Sequence, residues 1–140
     1  MNNWKDKDKL DFKLHHIAIQ SSDLEKSLWF YHQILGFPII KRETSSKGRM
    51  IVWLEAGEAR IELYTSKPGQ ALISRWDQNG LGPVSMGFIV SDLDRAVYFL
   101  KQKNVPITML PYEPIPGERA AMISGPDGEE VVLLEKLVSC

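Results

Sequence analysis

His16-Ile17-Ala18-Ile19-Gln20-Ser21-Ser22-Asp23-Leu24-Glu25-Lys26-Ser27-Leu28-Trp29-Phe30-Tyr31 decides the fold, because a weaker copy returns as Ser85-Met86-Gly87-Phe88-Ile89-Val90-Ser91-Asp92-Leu93-Asp94-Arg95-Ala96-Val97-Tyr98-Phe99-Leu100. Ser22-Asp23-Leu24 falls on Ser91-Asp92-Leu93, and Phe30 falls on Phe99. With one residue dropped from the second copy, Pro38-Ile39 then falls on Pro106-Ile107. A repeat on this scale predicts a fold built twice from one supersecondary unit, with a seam that can draw residues from both copies. The copies differ where chemistry could sit, since Ser85 stands in the place of His16.

Within the first copy, Leu14 to Gln20 alternates as a strand does. His16, Ala18 and Gln20 share one face, and His15, Ile17 and Ile19 the other. Ser22 or Asp23 offers an N-cap, and Leu24, Leu28, Tyr31 and Leu35 recur at helical spacing up to Gly36, a C-terminal stop. Phe37–Thr44, Met50–Glu55 and Ala59–Tyr64 read as three further strands. Ser66–Pro83 is a Gly- and Pro-rich connector with a short helix expected around Ala71–Trp76. The second copy repeats the order: strand Val84–Val90, a helix to about Lys103, strand Val105–Leu110 and a loop from Pro111 to Gly117. Strands Arg119–Ser124 and Glu130–Leu137 follow, joined by the turn Gly125-Pro126-Asp127-Gly128.

The predicted class is therefore α+β. A lead-in of residues 1–13 precedes one domain over 14–140, made of two βαβββ units at about 14–65 and 84–137. Together they are expected to form a curved mixed sheet around a shared groove, the default place for a ligand.

At 140 residues and 44% hydrophobic content, the chain can bury one ordinary core. Seventeen basic against 18 acidic residues give a net charge of −1, which argues against nucleic acid or an anionic membrane as partner. No apolar run reaches the ~20 residues needed to span a bilayer. Met1 to Lys9 is too polar for a secretory signal, which points to the cytoplasm. Cys140 is the only cysteine, so neither an intramolecular disulfide nor a cysteine-based metal site is available.

On these pieces the chain resembles the vicinal oxygen chelate superfamily, which groups glyoxalases, bleomycin-resistance proteins and ring-cleaving dioxygenases. The likeness runs from about Leu14 to Lys136. It rests on His16-Ile17-Ala18-Ile19, the Ser22-Asp23-Leu24-Glu25-Lys26-Ser27 helix start, Phe30-Tyr31, Leu35-Gly36-Phe37, Ile61-Glu62-Leu63 and the Gly125-Pro126-Asp127-Gly128 turn. The resemblance implies a groove that in metal-dependent members holds one divalent ion (zinc, nickel, iron, manganese or cobalt). Its ligands come from the first and fourth strands of each unit, and the ion acts as a Lewis acid on a substrate oxygen pair. His16 and Glu62 match the first two ligand positions. The third falls on Ser85, a poor ligand because its hydroxyl stays protonated, and the fourth on Val132, which cannot bind a metal. Glu135 has the wrong strand parity and would join only through a β-bulge.

The resulting expectation is a small, partly apolar molecule bound in the groove beside an incomplete metal site. His16, Gln20, Trp53, Arg60, Tyr64 and Ser85 are the expected contacts, with Arg60 and Glu62 able to pair. The alternative is a metal-dependent lyase or isomerase in which Glu62 is catalytic and an enediolate forms on the ion. His32 is expected at the surface of the first helix. Family resemblance also implies a homodimer, with Trp4, Phe12 and Trp76 as candidate interface aromatics.

Overall fold

The structure, a computed structural model, describes residues 13–66, 69 and 85–137. The lead-in, the connector helix expected near Ala71–Trp76, the aromatics Trp4, Phe12 and Trp76, and Cys140 lie outside the described residues.

The first unit contains β1 (His16–Ser21), helix α1 (Leu24–Leu28 continuing through Trp29–Ile34), β2 (Ile39–Thr44), β3 (Met50–Ala56) and β4 (Ala59–Thr65). The second contains β5 (Met86–Ile89), α2 (Leu93–Gln102), β6 (Ile107–Ile115), β7 (Glu118–Ser124) and β8 (Glu130–Lys136). Each unit forms its own four-stranded mixed sheet, ordered β1-β4-β3-β2 and β5-β8-β7-β6. The first strand of each unit pairs in parallel with the fourth, and the other pairs are antiparallel. Among the described residues the two sheets share no strand pairing, and β1 and β5 each stand at the end of their sheet's order.

Alternation sorts each sheet into two faces. Ile19, Val52, Leu54, Ile61 and Leu63 of the first sheet are buried, as are Met86, Ala121, Ile123, Val131 and Leu133 of the second. They join Leu24, Leu28, Phe30, Tyr31, Leu93, Val97 and Leu100 in a single core. Each large apolar side chain buried this way contributes about 1.5–3 kcal/mol. The repeated Ser-Asp-Leu triplet starts both helices alike. Asp23 accepts from the Lys26 N–H and Asp92 from the Arg95 N–H, caps that contribute about 1 kcal/mol each.

The helices differ by one residue, and the structure shows where it went. α1 is α-helical over Leu24–Leu28 and then π-helical over Trp29–Ile34, whereas α2 is α-helical throughout. Both end on a left-handed residue, Gly36 at φ 82° and Asn104 at φ 61°. The closing bond from the Phe37 N–H to the Tyr31 carbonyl corresponds to that from the Val105 N–H to the Leu100 carbonyl, with one more residue enclosed. The extra residue of the first copy is thus absorbed as a π-turn, while the caps at both ends keep their places.

Two expectations on local structure are corrected. Pro111 and Pro114 do not end β6, which runs on to Ile115. β6 is an edge strand whose register shifts three times against β7, and an edge with bulges tolerates residues that lack an N–H. His32 is half-buried rather than at the surface, with Nδ1 2.8 Å from the carbonyl oxygen of Phe37 at the helix end.

The units meet through the first helix and the last turn. The fully buried Tyr31 donates its hydroxyl to Glu129, also fully buried, at 2.8 Å. The second carboxylate oxygen of Glu129 accepts from the Asp127 N–H at 2.7 Å. Asp127 in turn accepts from both the hydroxyl and the backbone N–H of Ser22, at the entry to α1. A Cβ on Gly125 would lie 2.7 Å from the Glu129 carboxylate, so position 125 needs glycine for space, whereas Gly128 of the same turn needs it for its φ of 87°. Burial and the adjacent Glu129 carboxylate push the Tyr31 hydroxyl pKa far above its ordinary value. Phe37 and Phe88, with ring centroids 5.0 Å apart, add an aromatic contact between the units.

Candidate functional site

The open face of the first sheet follows from register. Ala18 pairs with Glu62, Glu62 with Trp53, and Trp53 with Lys41, so these positions lie side by side on the face away from the helices. His16 Nε2 approaches Glu62 Oε1 at 3.7 Å, with the two side chains 37% and 18% exposed. The pair is therefore reachable from solvent but partly enclosed. Trp53 walls it, its ring 5.0 Å from that of His16 at an interplanar angle of 82°. Its indole N–H donates to Glu43 at 2.9 Å, and Lys41 lies 3.2 Å from the same carboxylate. The Trp53 bond first, and then Lys41, hold the Glu43 carboxyl below the usual carboxylate range.

His15 departs from the expected alternation. It precedes the first paired residue of β1, and its ring lies on the same side as His16, 5.9 Å from Trp53. His15 Nδ1 and His16 Nδ1 are 2.7 Å apart, so one of the two must carry the proton and the other accept it. A proton on His16 Nε2, facing the Glu62 carboxylate, is electrostatically favoured. It leaves His16 Nδ1 to accept from His15.

The other expected contacts divide. Gln20 and Tyr64 are half-buried, register partners on the same face, and the Arg49 guanidinium lies 5.0 Å over the Tyr64 ring. Arg60 is exposed, and Glu62 pairs with His16 instead of with Arg60. Ser85 is exposed and just precedes β5 on the other sheet, with no hydrogen bond to the His16 group. Sequence reasoning passed over His15, Glu43 and Lys41. For Glu43 and Lys41 the hairpin register opposite Trp53 was an available signal, whereas nothing in the alternation marks His15.

Glu135 does not reach this face. The β7–β8 register runs without a shift, so no bulge rotates it. Its carboxylate accepts from the Leu93 N–H at the start of α2 and lies 3.5 Å from Arg119, which grips Asp94 through two bonds. That is the helix side of the second sheet, where a carboxylate at a helix N-terminus is favoured.

The open face of the second sheet has different chemistry. Gly87 and Ile89 pair with Val132 and Leu134, and Met122 stands opposite Val132. In register, Val132 occupies the place of Glu62 and Met122 that of Trp53. Among the described residues no group of three or more His, Cys, Asp or Glu side chains could hold a metal ion. His16 and Glu62 supply two donors, and the matching positions of the other unit supply none. The residues present do not amount to the four-ligand set.

The wider comparisons agree with this architecture. The family model described as Glyoxalase/Bleomycin resistance protein/Dioxygenase superfamily matches residues 13–133. The chain is 32% identical to YwkD of Bacillus subtilis (strain 168) over 126 residues, 88% of this chain and 96% of that one. A glyoxalase family protein from Bacillus cereus superposes with a TM-score of 0.79 at 20% identity, covering 93% of this chain and 97% of the other. TnmS3, an antibiotic binding protein from Streptomyces sp. CB03234, superposes with a TM-score of 0.70 at 20% identity, covering 91% and 98%. Duplicated βαβββ units, a His–Glu pair on the open face of the first and a family match across nearly the whole chain lead to one assignment: the chain belongs to the glyoxalase, bleomycin-resistance and dioxygenase superfamily.

Proposed function

We propose that this chain is a binding protein of the superfamily, taking a small, partly apolar molecule on its open sheet faces. In this reading His16 and Glu62 anchor a polar group of the ligand and Trp53 covers its apolar part, with Gln20, Arg60, Tyr64 and Ser85 at the margins. The observation that carries it is the one-sidedness of the site: a half-enclosed donor pair on the first unit and Val132 where the second would need a carboxylate. A polar anchor set among apolar surfaces suits recognition of such a molecule. The antibiotic-binding relative with the same fold supports a binding role. Its acting partner beyond the ligand is a second copy of the chain, and its setting is the cytoplasm. No helix among the described residues is long and apolar enough to cross a membrane.

The alternative, a metal-dependent lyase or isomerase with Glu62 as its base, is favoured only by the approach of His16 to Glu62. Loading the protein with zinc, nickel or cobalt and measuring metal per chain after gel filtration separates the two. The binding reading expects a substoichiometric metal content that Glu62→Gln does not alter. One ion per chain, lost in both His16→Ala and Glu62→Gln, would overturn it.

A further inference from the structure

A second recessed site lies where α1 meets the second unit. It is a cleft of about 390 Å³, within the range of small-molecule sites. Buried Phe30 and Val105 form its floor, Trp29, Pro106 and Pro126 its walls, and Lys26 its rim. Trp29 and Phe30 are the first two residues of the π-helical stretch, so the cleft borders the part of α1 that differs from its counterpart α2. π-turns of this kind are frequent at functional sites.

Two properties define what fits. The walls are flat: an indole ring, 38% exposed, and two proline rings. The charge is single and positive. Lys26 is the one charged residue lining the cleft, and among the described residues its ammonium has no carboxylate partner. We propose that this cleft binds a small planar aromatic carboxylate, its ring against Trp29 and its carboxylate on Lys26. The cleft shares no lining residue with the His16–Glu62 face, so the proposal does not depend on what that face binds. Because its walls come from both units, an occupant braces them against each other.

The test is calorimetric titration of the full chain with 2-naphthoate, and with neutral 2-naphthalenemethanol as the uncharged control. The expected result is saturable binding of 2-naphthoate. Lys26→Gln should weaken it about tenfold, the scale of one charge-assisted contact, and leave the alcohol unaffected. Trp29→Ala should weaken both compounds, while His16→Ala should change neither. Absence of binding overturns the proposal. So does binding that is indifferent to both Lys26→Gln and Trp29→Ala, or binding lost in His16→Ala, which would place the probe on the open face.

Discussion

Phe30 and Phe99 are the same residue at the same place in the two copies, yet Phe30 is 1% exposed and Phe99 43%. Their neighbours are both buried but differ in chemistry: Tyr31 donates its hydroxyl to Glu129 of the second unit, while the Leu100 side chain makes only apolar contacts in the common core. The first helix has become the element that joins the halves, and Trp29 and Phe30 line a cleft with residues of the other unit. The open faces diverge in the opposite direction, with polar groups kept on the first sheet and apolar ones on the second. Duplication supplied two equivalent scaffolds. Specialisation then loaded one of them with both the polar site and the seam.

The seam offers the strongest way to break this comparison. Glu129→Ala removes the acceptor of a buried Tyr31 hydroxyl and leaves a void beside Gly125. It should cost about 3–4 kcal/mol in chemical denaturation. A loss under 1 kcal/mol would mean the halves hold together without this contact.

The alkaline limb gives a second, smaller measure. The folded Tyr31 hydroxyl titrates above its unfolded value, so the folded state keeps a proton that the unfolded chain gives up. The corresponding stability is complete below about pH 10 and falls as pH rises further, by about 1.4 kcal/mol per pH unit for one proton. Tyr31→Phe should flatten that slope by this amount relative to the parent. An unchanged slope would show that Tyr31 is not held neutral at the seam.

The smallest expected effect tests the equivalence of the open faces. Installing Ser85→His together with Val132→Glu gives the second sheet the donor pair of the first. Zinc affinity measured by competition with a chromogenic chelator should rise about tenfold, equivalent to about 1.4 kcal/mol. No gain would mean that the two positions are equivalent in register but not in presentation.

Much of this architecture could be read from the chain. The repeated Ser-Asp-Leu caps, the strand alternation and the one-residue offset before Pro38 and Pro106 all carry through into the fold. The π-turn could not be read, because Leu24, Leu28, Tyr31 and Leu35 keep helical spacing whether the extra residue widens a turn or lengthens a loop. β6 escaped because prolines end a central strand but not a bulged edge. Parity placed His16 and Glu62 on one face without deciding between Trp53 and its neighbours, and it misplaced His15, which stands just before the paired ladder begins. Glu129 drew no notice at all. It follows a turn of Pro, Asp and Gly, where a carboxylate ordinarily faces water, and only tertiary packing reveals a buried tyrosine opposite it.

The seam also sets an order of events during synthesis. Tyr31 and Glu129 are 98 positions apart along the chain, and Ser22 and Asp127 are 105 apart. A nascent chain therefore has the entry to its first helix and the Tyr31 hydroxyl without their partners until nearly the last strand has left the ribosome. Local units form early, whereas contacts this distant must await closure of the whole chain. The two halves of this protein can take shape one after the other, but the first cannot be finished before the second.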